Sequence, residues 1–92
     1  MPKSSPAFSR DVMHMAQPKA VSDVSLTILN VLQDSRPEVQ IMGAAAVFLA
    51  LSEHLKVPAQ DVFTATKNLI NDQDGKRVEF RAVQAYLEGE LN

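Results

Sequence analysis

Three short stretches carry side chains that could do chemistry. Met13-His14-Met15 sets an imidazole between two thioethers, donors that suit a soft metal, yet one histidine and two methionines make an incomplete ligand set. Asn71-Asp72-Gln73-Asp74-Gly75-Lys76 begins like a calcium-binding EF-hand loop. Setting Gly75 at the sixth loop position puts Ile70 first and Arg81 twelfth, where carboxylates are required. Calcium is therefore not expected, and an Asx-type turn flanked by helix caps is. His54 stands beside Glu53 and Lys56, with no serine, threonine or carboxylate constellation converging on it; it reads as a residue suited to the negative end of a helix rather than as a general base. The chain has no cysteine, no glycine-rich phosphate loop and no zinc spacing. No catalytic residue, metal or cofactor is assigned, and the expectation is a protein that is not an enzyme.

Two kinds of binding chemistry remain. Lys67, Lys76, Arg77 and Arg81 cluster around one predicted helix junction and could touch phosphate, but Asp72, Asp74 and Glu79 interleave them and nearly cancel their charge. The whole chain holds 9 Lys and Arg against 11 Asp and Glu, a net charge of -2. That balance weighs against a life on nucleic-acid backbones. Phe8, Phe63 and Tyr86 offer one aromatic each from the N-terminal arm and the last two helices, and are the candidate anchors for a protein partner.

The elements that must position these residues are helices. At 92 residues the chain is one domain, read as an N-terminal arm over 1–20 and a helical domain over 21–92. Pro2, Pro6 and Pro18 lower the odds of regular structure in the arm, although Ser9 has the placement of a cap for a short helix through Val12 and Met13. Val21, Val24, Ile28, Val31 and Leu32 follow helical spacing, with Ser22 a credible cap. In Asp34-Ser35-Arg36-Pro37-Glu38, the proline suits a first helical turn, and Ser35 and Glu38 have capping-box spacing.

The helix that follows, about Pro37 to Leu55, is apolar all the way round through its middle, so it must be covered on several sides by other helices or by a second subunit. A glycine inside a helix costs about 1 kcal/mol against alanine, so Gly43 predicts a close backbone approach. A third helix runs from about Pro58 to Asn71 and a last one from about Lys76 to Glu90. The expected fold is all-α: a compact bundle of four principal helices around the central apolar one, without a sheet. Its expected core holds Ile28, Val47, Phe48, Leu51, Leu55, Val62, Leu69, Phe80, Val83 and Leu87. Ile41 to Leu51, the longest apolar run, is shorter than the roughly 18 residues that span a bilayer. No apolar leader opens the chain, and a soluble, cytoplasmic protein that forms a homodimer through surplus apolar surface on its central helix is expected.

Leu49 to Leu69, with "LSEHLKVPAQDV" at its heart, resembles the helix-turn-helix of bacterial and phage regulators. Leu51, Leu55, Val57 and Val62 fall where that motif places apolar residues, and Ser52 where it places a small one. Lys56 departs from it, since the motif usually has glycine in the turn. The resemblance implies a recognition helix after the turn, with Gln60, Thr64, Lys67 and Asn68 facing outward, supported by Lys76, Arg77 and Arg81. The region from about Pro37 to Glu90, with "RPEVQ", "VPAQDVF" and "NDQDGKRVEFRAVQAYLEGEL", also resembles small accessory proteins of short-tailed bacteriophages. That likeness implies a host cytoplasm and binding to a host or phage protein. Protein interaction is the favoured expectation, and DNA binding the alternative.

Overall fold

Prolines open the two longest helices. Pro18 begins α2 (Pro18–Leu32) and Pro37 begins α3 (Pro37–His54), each at a position where the missing N–H has no helical acceptor to lose. The structure is a computed structural model, and it describes residues 9–90. Ahead of α2 lies the single turn α1 (Arg10–Met13), capped as expected: Ser9 Oγ accepts the Val12 N–H at 3.3 Å. After α3 come α4 (Ala59–Ile70), a hairpin of β1 (Asn71–Asp72) and β2 (Gly75–Lys76), and α5 (Val78–Glu90).

The fold is all-α apart from that hairpin, which replaces the expected sheet-free chain. Asn71 pairs with Lys76 and Asp72 with Gly75, antiparallel. Asp72 Oδ1 accepts the Asp74 N–H at 2.8 Å, the expected Asx turn, and Gly75 supplies a φ of 113° that side chains rarely adopt. Two expected caps are absent. Ser22 lies a full turn inside α2, buried, with its hydroxyl donating to Lys19 O at 3.0 Å. Ser35 and Glu38 form no capping box; Glu38 instead accepts from Arg36 Nε at 2.9 Å.

The helices associate in two pairs. α2 packs on α5, α3 packs on α4, and α1 lies against α4. At the first seam the Tyr86 hydroxyl reaches Gln33 Oε1 at 3.2 Å and Asn30 Oδ1 at 3.4 Å, tying α5 to α2. Phe80, in the first turn of α5, is buried, while Phe48, Val62, Leu69 and Val83 are half-buried.

The rest of the expected core is not covered. Ile28, Val47, Leu51, Leu55 and Leu87 are exposed. The cause is the pairing: the chain bends by 116° between α3 and α4, so α4 reaches one side of α3 only, and α2 spends its other face on α5. The apolar helix has a neighbour on one flank and an open cleft on another.

Candidate interaction surface

Between Glu38 and Glu53, α3 runs for fourteen residues without an ionisable side chain. Such a sequence has no polar face to turn outward, so whichever side its own chain leaves open is apolar. Two open sides result.

The first is a ridge. Met42, Ala45 and Leu49 stand three and four residues apart, hence on one face, with Met42 at 68% and Leu49 at 55% exposure. The second is a cleft of about 310 Å³ between α2 and α3, where Ile28, Val31 and Leu32 face Gly43, Ala44 and Val47. Gln40 ties the two helices together: its Nε2 donates to Leu32 O at 2.9 Å and so satisfies a carbonyl at the end of α2. Val31 on one wall is 74% exposed and Val47 on the other 56%. A Cβ built on Gly43 meets no heavy atom within 4 Å, so the close approach expected at this glycine is not made within the chain.

The turn from α3 into α4 is well formed. The Val57 N–H donates to Ser52 O at 3.0 Å and the Lys56 N–H to Glu53 O at 3.1 Å, the paired bonds of a Schellman ending. Lys56 takes a φ of 59°, the left-handed conformation usually given to glycine, so the geometry that the sequence put in doubt is present with a lysine in it. Ser52, the small residue before the turn, is buried and donates its hydroxyl to Phe48 O at 2.8 Å.

The residues singled out in the sequence are scattered by this arrangement. Phe63 is exposed on α4 with Lys67 Nζ 5.5 Å from its ring centroid, a cation–π pair. Tyr86 is turned toward α2 by its hydroxyl, and Phe8 lies outside the described residues. Gln60 Nε2 reaches Thr64 Oγ1 at 3.4 Å on the outer face of α4. Asn68 and Thr64 border a shallow hollow whose far side is Met13 and His14, so α1 overlies part of the face that a recognition helix would present.

The basic residues are occupied in the fold. Arg77 is half-buried and its Nε donates to Leu69 O at 2.6 Å, capping the carbonyl end of α4. Arg81 Nε donates to Lys76 O at 3.0 Å, and Lys76 Nζ to Gln84 Oε1 at 3.1 Å. Thus Arg77 and Arg81 pin the hairpin between two helices. Among the described residues no three His, Asp or Glu side chains gather as a metal site, and His54 stays exposed at the end of α3.

No protein-family model, no curated protein and no solved structure matches the chain. Sequence reasoning chose aromatics as the anchors for a protein partner and assigned the surplus apolar surface of the central helix, Met42 and Leu49 included, to self-association; Val31 it placed on the inner face of α2, where the structure leaves it exposed. The signal was available in the fourteen uncharged residues of α3, which have no polar face to turn outward.

Proposed function

We propose that the chain is a non-enzymatic helical interaction protein that binds another protein through the ridge of α3. The carrying observation is the exposure of Met42 and Leu49 on one face of a helix that has no charge along its middle. An apolar helical stripe with three-and-four spacing fits a partner that offers a complementary helix or groove, where burial of a few large side chains supplies most of the affinity. A role as a bacteriophage accessory factor acting on a host or phage protein in the host cytoplasm belongs to the same proposal, and rests on the likeness of the segment from Pro37 onward.

The test is affinity capture from host lysate with the wild-type chain beside Met42→Glu and Leu49→Glu. A specific protein retained by the wild type and lost from both variants, with helical circular dichroism unchanged, is the expected outcome. Retention by both variants contradicts the ridge as the binding face.

DNA binding is the second reading, favoured by the 116° bend and by the left-handed Lys56 at the turn. Against it stand the net charge of -2, the α1 residues lying over α4, and the engagement of Arg77 and Arg81 by backbone carbonyls. A gel shift at two salt concentrations separates the readings. The favoured one expects binding no tighter than about micromolar at physiological salt, the level of non-specific contact. Sequence-selective binding lost on changing Gln60 or Asn68 would promote the alternative.

A further inference from the structure

The cleft between α2 and α3 lies on a different side of α3 from the ridge, and its occupant follows from its own shape and charge. We propose that a second copy of this chain fills it, with the two α3 helices antiparallel about a two-fold axis and Val47 of each seated over Gly43 of the other.

Self-complementarity is the first argument. An isologous interface needs a projection and a recess on one surface, so that each copy receives what it donates. Val47 projects into the cleft one helical turn from Gly43, where the space a side chain would take is empty. Antiparallel pairing places the projection of one copy in the recess of the other, twice.

Charge is the second. The floor is uncharged, while each end of α3 carries one acid and one base: Arg36 and Glu38 at the start, Glu53 and Lys56 at the finish. Arg36 and Glu38 pair with each other at 2.9 Å, so neither end presents an uncompensated charge of one sign, and antiparallel α3 helices oppose their dipoles favourably where parallel ones would align them.

Area is the third. Ile28 and Val31 of α2 and Val47 of α3 line the cleft and are exposed, and Val24, Val39 and Leu51, each one helical turn from a lining residue, are exposed as well. Together they offer apolar surface on the order of several hundred Å² per copy, the scale of the ~800 Å² that each partner contributes to a standard specific interface.

Sedimentation equilibrium of the full chain tests this. The wild type is expected at about twice its 10.1 kDa mass at tens of micromolar. Gly43→Val fills the recess, its Cβ meeting no heavy atom of the monomer within 4 Å, and should weaken dimerisation roughly tenfold or more while circular dichroism remains helical. Val31→Lys, on an exposed wall residue, should weaken it too. The double variant Gly43→Val with Val47→Gly exchanges projection and recess, keeps the glycine count, and should recover association to within roughly threefold, a coupling that independent effects would not give.

A monomeric wild type at roughly 200 µM overturns the second copy and leaves the ridge to be judged by its own capture experiment. A dimer indifferent to Gly43→Val and Val31→Lys overturns the cleft as its interface. Loss in both single variants with no recovery in the exchanged one overturns the Val47-over-Gly43 pairing.

Discussion

In the pair α2 and α5, polar and apolar groups settle together: Tyr86 crosses to Asn30 and Gln33, Phe80 of α5 is enclosed, and Ser22 of α2 is buried with its hydroxyl bonded to Lys19 O. Along α3 there is more apolar side chain and less burial, because α4 meets one flank and the others face outward. The difference lies in what each sequence can do with its second face. α5 meets α2 along one face of each helix, and that contact is made within one chain, although α2 keeps Val24, Ile28 and Val31 exposed on its other side. α3 has no ionisable side chain between Glu38 and Glu53, and its two polar residues there, Gln40 and Ser52, are bonded to backbone carbonyls, so the flanks that α4 does not reach stay apolar and exposed.

Substitutions at the two regions should separate accordingly. Phe80→Ala removes the enclosed ring and is expected to cost about 3 kcal/mol or more, read as a large fall in the urea midpoint. At α3 the same kind of truncation should barely register in the monomer: Leu49→Ala is expected to change unfolding free energy by no more than about 0.5 kcal/mol at low micromolar concentration. A comparable loss at both sites would mean that α3 is part of the chain's own core.

Smaller effects sharpen the boundary between the regions. Lys56→Gly relieves a left-handed lysine and should raise stability by about 1 kcal/mol, seen as a higher Tm, with the bend retained. Tyr86→Phe, which deletes the hydroxyl contacts to α2 but keeps the ring, should cost about 0.5 kcal/mol by chemical denaturation. Millimolar calcium should leave Tm unchanged, since Ile70 and Arg81 stand where a calcium loop needs acids.

Much of the local structure was legible because local rules govern it. Ser9 caps α1, Pro37 places the start of α3, and Asp72 with Gly75 makes the turn before α5, whereas Pro18, read as part of an irregular arm, opens α2 ahead of the expected start at Val21. Pairing was not legible. Periodicity states which residues share a face, but it does not state which helix that face will meet, and the assumption that a highly apolar helix occupies the centre failed at Val47, Leu51 and Leu55. Lys56 escaped as well: its conformation is imposed by the bonds from Val57 and Lys56 back to Ser52 and Glu53, against the residue's own preference. Arg77 looked like a surface charge because nothing in its spacing announces that it will reach Leu69 O across the hairpin.

The central claim is that α3 is uncovered by its own chain, and thiol labelling measures this most directly. The chain has no cysteine, so single variants report single sites. Ser22→Cys replaces a residue 3% exposed in α2, and Leu49→Cys one 55% exposed on the ridge of α3. At sub-micromolar protein, the thiol at position 49 should react at nearly the rate of a free thiol, while that at position 22 should be slower by about a thousandfold, limited by opening of the seam. Equal protection at both positions under these dilute conditions would place α3 inside the chain's own core and contradict the account.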